Sequence, residues 1–146
     1  TGTLGKEQLN QLPALLQRAA SEGLFRVVYL HHCPVTGQEK WRKRLTDAPQ
    51  IQALLEEYGA ELVLHGHGHR AHFNELHSRV GAVPVIAVPS ASALGLHGAD
   101  IAQYNRYAVE RYDGGWELRI DSRRYQPDSG RFVEGDTKTL LLNRSY

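Results

Sequence analysis

The fold is decided by one stretch of the chain, residues 26–64, with the sequence RVVYLHHCPVTGQEKWRKRLTDAPQIQALLEEYGAELVL. A short apolar run, Leu24 to Leu30, overlaps the start of this stretch and is typical of a buried strand. At the end of the stretch lies a second run of this kind, Glu61 to Leu64. A polar loop and a helical pattern separate the two runs. A strand, loop, helix and strand in this order favour two parallel strands joined by a right-handed crossover.

The helix between these strands is marked at both ends. Asp47 can cap its N-terminus, and Pro49 is acceptable in the first turn. Gly59 lies where a C-terminal cap is expected. The apolar stripe of this helix consists of Ile51, Leu54, Leu55 and Tyr58. This spacing predicts an amphipathic helix that covers the sheet.

The flanking segments add another helix and another strand. Apolar residues at helical spacing predict a helix from Lys6 to Ala20 that ends at Gly23. Pro13 lies inside this pattern and predicts a bend or a later start. Residues Val83 to Val88 form a third strand pattern, and Pro84 near its start indicates an edge strand or a bulge.

Alternating residues predict a hairpin near the end of the chain. The strands are Tyr104 to Tyr112 and Trp116 to Ser122, joined by Asp113-Gly114-Gly115. Residues 126–130 (QPDSG) predict a further turn, which residues 131–133 follow. The predicted fold is therefore α/β, with a mixed sheet, two main helices and a C-terminal β-hairpin.

The composition is that of one globular domain spanning residues 1–146. The chain is 41% apolar and 23% charged, with a formal net charge of +1. This balance gives no electrostatic reason to expect nucleic acid or a membrane surface as a partner. No apolar run approaches the roughly 18 residues of a membrane span. The single cysteine, Cys33, excludes an internal disulfide and favours a reducing, cytoplasmic location.

Five of the eight histidines form two tight clusters. His31 and His32 follow the first predicted strand, and His65, His67 and His69 follow the second. Ligands of open α/β sheets gather at the carboxyl ends of the strands. If the two strands are neighbours, both clusters lie side by side at the same edge of the sheet.

These clusters have the chemistry of a metal site. Neutral imidazole is a common ligand of zinc, manganese and iron. In extended backbone, His67 and His69 would point to one face and reach the same small volume. Gly66 and Gly68 allow a sharp turn and a close approach of the backbone. The two histidines could bind a single ion, or each could bind one ion of a pair.

Other histidines and the cysteine fit simpler interpretations. His72, His77 and His97 stand alone in the sequence and are expected to be ordinary hydrogen-bonded residues. A histidine-rich tract can also bind metal only incidentally. Cys33 cannot supply a structural zinc site, which needs four ligands and commonly paired cysteines. It is expected to be a small buried residue.

Residues 27–34 (VVYLHHCP) and 64–70 (LHGHGHR) resemble the HHPP and GHxH blocks of the calcineurin-like metallophosphoesterase superfamily. Residues 2–9 (GTLGKEQL), 89–92 (PSAS) and the C-terminal hairpin are similar to further parts of that domain. The resemblance implies the C-terminal half of a layered α-β-β-α sandwich. It also implies a pair of divalent ions, manganese, iron or zinc, with metal ligands at His31, His67 and His69.

The resemblance assigns a position to each ligand. His31 and His67 would bind the second metal, and His69 would bind the first. His32, His65 and Arg70 could contact the phosphate of a substrate. Cys33 replaces a proline of the usual motif without changing the ligand position. The implied activity is hydrolysis of phosphate mono- or diesters.

The front half of the superfamily pattern is missing from these residues. The DxH, GDxxD and GNHD/E motifs, which bring the bridging aspartate and the asparagine ligand, do not occur. Two divalent ions about 4 Å apart repel strongly without a bridging carboxylate. The isolated chain is therefore expected to be inactive. Because it opens at Thr1 and contains no methionine, it is expected to be a processed product or a fragment, or else a chain with an edited or trimmed end. A half sandwich leaves the partners of its missing strands exposed, so the N-terminal half is expected as a second chain or a swapped copy.

Two other functions compete with the enzyme. The first is a non-catalytic metal-binding or regulatory module derived from that superfamily. The second is a structural interaction domain with incidental histidines. Motifs encoded upstream of Thr1 would favour the enzyme fragment, and metal content would separate a metal-binding protein from a structural one.

Overall fold

The computed structural model describes residues 1–96 and 98–145, and of Trp41 only the backbone. The helices are α1 (Lys6–Ser21) and α2 (Ala48–Tyr58), with a short 3₁₀ helix at Trp41–Lys43. The strands are β1 (Val27–Leu30), β2 (Leu62–His65), β3 (His72–Ser78), β4 (Gly81–Ala87), β5 (Gln103–Tyr112), β6 (Gly115–Gln126) and β7 (Arg131–Asn143). His97, one of the lone histidines, lies outside the described residues.

The strands form two sheets. The first has the order β1-β2-β4-β3, and the second has the order β5-β6-β7. In the first sheet β1, β2 and β4 are parallel, and β3 runs antiparallel to β4. The chain is therefore α/β with a mixed sheet, as predicted. The parallel pairing of the two strands that flank α2 is confirmed.

The chain stacks these elements in three layers. One face of the first sheet packs against the helices through a buried cluster that includes Leu16, Ile51, Leu55, Val63 and Val85. The other face packs against the second sheet through Leu62, Ile86, Leu118, Ile120 and Leu142. Within the residues that the structure describes, no helix is long and apolar enough to cross a membrane.

The first sheet differs from the prediction in two respects. The strand β3 was not predicted, although it pairs with β4 along its whole length. Because β3 pairs with β4, the strand that contains Pro84 is not an edge strand. The pairing of β3 with β4 has no register shift, so Pro84 does not mark a bulge there either. Pro84 has no N–H to donate to a neighbouring strand. It is tolerated because β4 pairs with β2 only from Val85 onward.

The helices follow the prediction closely. α1 runs through Pro13 without a late start. α2 ends at Gly59, which has a φ of 68° and donates its N–H to the Leu55 carbonyl at 2.8 Å. A side chain there would clash with Val80, so the turn requires glycine.

The second sheet extends the predicted hairpin. β5 and β6 pair in antiparallel register around Asp113 and Gly114, as predicted. The segment after the next turn forms β7, a long strand that pairs with β6 and makes a three-stranded sheet. One register shift interrupts this pairing between Asp121 and Arg123.

A buried ion cluster joins the helices to both sheets. The carboxylate of Glu61 accepts hydrogen bonds from Nε and Nη2 of Arg26, both at 2.8 Å, and from Nε of Arg144 at 2.9 Å. Arg26 also donates to the Tyr58 carbonyl, and Arg144 donates to the Ala60 carbonyl. The cluster therefore connects the start of β1, the end of α2, the start of β2 and the residue after β7.

Asp47 has a different role from the one predicted. Its side chain makes no capping hydrogen bond to α2. Its carboxylate instead accepts hydrogen bonds from the N–H groups of Leu4 and Gly5 and from the Thr3 hydroxyl, at 2.9–3.1 Å. Burial alone would raise the pKa of Asp47, but these donors outweigh it and hold the pKa below its ordinary value. Asp47 thus fixes the segment that enters α1.

Replacing this carboxylate by Asp47→Ala is expected to destabilise the chain by about 1–3 kcal/mol, because buried N–H donors lose their acceptor. Urea denaturation followed by circular dichroism would measure the difference. Asp128→Ala, at an exposed turn, serves as the matched control and should change stability little. Equal stability of both variants would contradict this role.

Candidate metal centre

Two histidine clusters meet at one edge of the first sheet. In the parallel pairing of β1 with β2, Leu30 is the partner of His65. His31 therefore begins where β1 ends, directly beside the end of β2. The Gly66 N–H donates to the His31 carbonyl at 3.1 Å and holds the two chain ends together.

Three imidazole rings are in mutual contact at this edge. The His31 and His67 ring centroids are 4.8 Å apart, those of His32 and His67 are 4.3 Å apart, and those of His31 and His32 are 4.9 Å apart. Nε2 of His31 lies 2.9 Å from Nδ1 of His67. The structure thus brings together two of the three predicted metal ligands, with His32 beside them.

The backbone of the glycine-histidine tract is not extended. His67 and His69 have φ values of 63° and 55°, the left-handed conformation that residues other than glycine rarely adopt. The premise that extended backbone points both side chains to one face was therefore wrong. Backbone strain of this kind clusters at functional sites. Both strained residues are histidines of the predicted centre.

His69 lies on the other side of this turn. It lines a cleft of about 780 Å³ between the loop that contains Glu39, the end of the first sheet and the residues Leu96, Gly98 and Ala99. No ring contact between His69 and the other histidines occurs in the described part of the chain. The cleft and the three-ring cluster therefore occupy two sides of the same turn.

Burial and neighbouring cations lower the pKa of two of the clustered histidines, His32 and His67. Burial lowers the pKa of His67, and His31 and Lys43 lower it further. The pKa of His32 is lowered for the same first reason, with added contributions from His67 and His31. A lowered pKa means that these rings lose their protons at a lower pH than free histidine. Their lone pairs are then available to a metal ion near neutral pH.

His65 and Arg70, two of the predicted phosphate contacts, both line the cleft. Burial lowers the pKa of His65, whose Nδ1 lies 3.4 Å from the Gly66 carbonyl. Arg70 donates from Nε to the Gly98 carbonyl at 2.9 Å. The third candidate, His32, lies with His31 and His67 instead. The three proposed phosphate contacts are therefore divided between the two sides of the turn.

Glu39 is a site residue that sequence reasoning missed. It lines the cleft and acts electrostatically on His32, His65 and His67, raising the pKa of each against the larger effect of burial. Its carboxylate lies so close to Gly68 that a β-carbon there would be 3.0 Å from Oε1. Glu39 follows no strand and belongs to no motif, so no sequence signal points to it.

The remaining candidates differ in their surroundings. Cys33 is buried, as predicted, and burial raises the pKa of its thiol, which argues against a nucleophilic role. His72 lines the cleft. His77 is exposed, with Nδ1 3.9 Å from a Glu75 oxygen.

The donor set fits part of a metal centre. Two nitrogens that bind one ion at about 2.1 Å and at a right angle lie about 3 Å apart. Nε2 of His31 and Nδ1 of His67 lie 2.9 Å apart, close to this separation, and at this distance the two rings share a hydrogen bond whose direction depends on the tautomer. However, no group of three or more histidine, cysteine, aspartate or glutamate side chains among the described residues is arranged to hold an ion. The described residues therefore bring two candidate ligands together but not a full set.

Comparison with protein-family models and with curated protein sequences gave no match to this chain. The superfamily resemblance therefore depends on the two motifs and on the geometry of their histidines.

Proposed function

We propose that this chain supplies the histidine half of the metal centre of a two-metal phosphoesterase, which hydrolyses phosphate mono- or diesters. One observation supports this most directly. His31 and His67 come from separate motifs, 36 residues apart, and their ring nitrogens lie 2.9 Å from each other. The superfamily resemblance assigns these two residues to the same metal ion. This contact supports the proposal that both rings serve one ion.

The position of the third ligand also suits two ions. His69 lies across the strained turn from His67, on the side of the cleft. His31 and His67 would hold one ion and His69 the other. Divalent ions, when bound, supply charge neutralisation at phosphoryl oxygens and acidify water. The low pKa of His67 favours ion binding over proton binding.

The basic residues of the cleft would orient the phosphate. Arg70 keeps its Nη groups available while Nε is held by Gly98. Lys40 and Lys43 line the same cleft from the opposite loop. These three cations would balance the charge of a phosphate ester next to His69. His65 and His32 stay as further candidates for contact with the substrate.

Even with Glu39 nearby, the described residues hold no group of three or more histidine, cysteine, aspartate or glutamate side chains arranged for an ion, so the proposed enzyme needs further carboxylates. The three layers of helices, first sheet and second sheet would be the α-β-β part of an α-β-β-α sandwich. A complementary N-terminal half, as a second chain or a swapped copy, would supply the remaining ligands. Turnover of phosphate esters by the isolated chain is expected to be negligible. Full activity of the purified chain with added manganese would contradict this division of the site.

A non-catalytic metal-binding or regulatory module is the alternative. The ligand pair formed by His31 and His67 favours it equally, because a regulatory site also needs ligands. The two functions differ in what the complementary half contributes. Phosphoesterase activity that appears on addition of a chain bearing DxH, GDxxD and GNHD/E motifs would identify the enzyme.

Metal analysis after dialysis tests the metal-binding part of this proposal. The chain is dialysed against zinc or manganese, and bound metal is measured by atomic emission. We expect about one ion per chain, because the ligand pair can hold one ion and a second ion lacks a bridging carboxylate. A content well below one ion per chain would show that the histidines are incidental.

A further inference from the structure

The floor of the cleft is a polar patch on the helix-facing side of the first sheet. His65, Ala87 and His72 are partners in one row across β2, β4 and β3. Asn74 lies two residues along β3 from His72, and its partner on β4 is Val85. Partners in a row share a face, as do alternate residues of a strand. All four floor residues, His65, His72, Asn74 and Ala87, line the cleft.

Two atoms of this floor are buried without a partner. Nε2 of His65 and Nδ2 of Asn74 are the side-chain atoms of this kind in the described part of the chain. Buried polar atoms are nearly always hydrogen-bonded, so each exception calls for an explanation. Both exceptions line one cleft, which points to a common cause.

The two atoms have complementary hydrogen-bonding roles. Nδ1 of His65 lies 3.4 Å from the Gly66 carbonyl oxygen, which can only accept, so this contact is a hydrogen bond in the tautomer that carries its proton on Nδ1. Nε2 of His65 is then an acceptor. Nδ2 of Asn74 can only donate. A ligand over Ala87 would meet an acceptor on one side and a donor on the other. Hydroxyl groups satisfy both, because each donates and accepts.

The walls of the cleft are basic. Lys40, Lys43 and Arg70 line it against one acidic residue, Glu39. None of these three cations forms an ion pair within residues 1–96 and 98–145. The cleft thus combines a cationic wall for an anionic group with a floor for hydroxyl groups, and its volume of about 780 Å³ is in the range of small-molecule sites.

We propose that this cleft binds the alcohol portion of the substrate and selects phosphate esters of small polyhydroxy alcohols. Asn74 donates to a substrate hydroxyl, and His65 accepts from one. The basic wall holds the phosphate. This inference rests on the proposed phosphoesterase function and names its class of substrate.

Two esters that differ in their hydroxyl groups test the subsite. The 146-residue chain is titrated with glycerol 3-phosphate and with propyl phosphate, and both affinities are measured by isothermal titration calorimetry. In the wild type, the side-chain amide signal of Asn74 is also followed by NMR. Both ligands have one phosphate and a three-carbon alcohol. We expect about tenfold tighter binding of glycerol 3-phosphate, the effect of one net hydrogen bond.

Asn74→Leu removes the donor with little change in size. We expect this variant to lose most of the preference for glycerol 3-phosphate, because only the His65 acceptor is left, whereas Asn10→Leu, at an exposed position of α1, keeps the preference of the wild type. The melting temperature of Asn74→Leu should equal or exceed that of the wild type, because the buried Nδ2 of Asn74 donates to no group among the described residues. A clear drop in melting temperature would show that Asn74 is structural, and would overturn the proposal.

Equal affinity of the wild type for both esters would also overturn the hydroxyl subsite. Titration with inorganic phosphate, with and without manganese, separates this failure from that of the proposed function. Phosphate binding without discrimination between the esters removes the subsite alone. Absence of phosphate binding under both conditions removes the phosphoesterase proposal together with the subsite.

Discussion

Glu61→Ala is expected to destabilise the chain by about 3–5 kcal/mol, the largest loss of stability predicted for a single residue. The substitution leaves the guanidinium groups of Arg26 and Arg144 in a site where both side chains are almost fully buried. Removing one member of a buried ion cluster is costly because the remaining charges stay desolvated. Urea denaturation at neutral pH would measure the loss.

Glu110→Ala, at an exposed position of β5, is the matched control. It should change stability by less than about 0.5 kcal/mol. A Glu61→Ala chain as stable as this control would show that the arginines find other partners or water.

The lowered pKa of Glu61 predicts that the folded chain loses stability in acid. Burial alone would raise the pKa of Glu61, but Arg26 and Arg144 outweigh it and lower the pKa from 4.5 to about 2. A group with a lowered folded-state pKa stabilises the chain fully above its unfolded pKa. This contribution, about 3 kcal/mol for such a shift, is lost as the pH falls from about 4.5 to about 2. Glu61→Gln should remove this part of the pH dependence.

The second large effect is expected at the metal centre, where His67→Gly should weaken zinc binding by at least ~100-fold. Glycine adopts the left-handed backbone of this position without strain, so the fold should persist. His31→Ala should have an effect of similar size, because both rings are proposed to hold one ion. Isothermal titration calorimetry with zinc would measure both affinities.

The double variant distinguishes a shared ion from two separate ones. If His31 and His67 bind the same ion, removing both should cost less than the sum of the single losses. His77→Ala, at an exposed histidine outside the cluster, should leave zinc binding unchanged. Strictly additive losses would contradict the shared ion.

The parts of the fold with a strong local pattern were predictable from the sequence. The apolar run before His31, the helix that ends at Gly59 and the run before His65 define a unit whose parallel pairing follows from chain topology. The hairpin around Asp113 and Gly114 has an equally clear signal. These features place His31 next to His65 without further information.

The missed strands have weak patterns of their own. β3 (His72–Ser78) contains charged and polar residues, and only Leu76 is buried. The first nine residues of β7 are exposed, so no apolar alternation marks them. Both strands exist because a neighbouring strand offers an unpaired edge, which is a tertiary effect that local propensity does not contain.

The details of the site depended on backbone conformation and on a loop. The spacing of His67 and His69 indicated a shared face, but their left-handed φ values turn the tract instead. Glu39 reaches Gly68 from a loop with no regular structure. Asn74 belongs to the strand that was missed. None of these positions follows from residue type and spacing alone.

The outer edge of β1 has a consequence for assembly. β1 is the terminal strand of its sheet, and Tyr29 on it is 83% exposed. A strand that added to this edge in parallel would end level with His31 and deliver its next residues to the imidazoles. Docking of such a strand and capture of the ions would then be linked equilibria, each strengthening the other by the same factor. Metal concentration would control how much of the assembled protein forms.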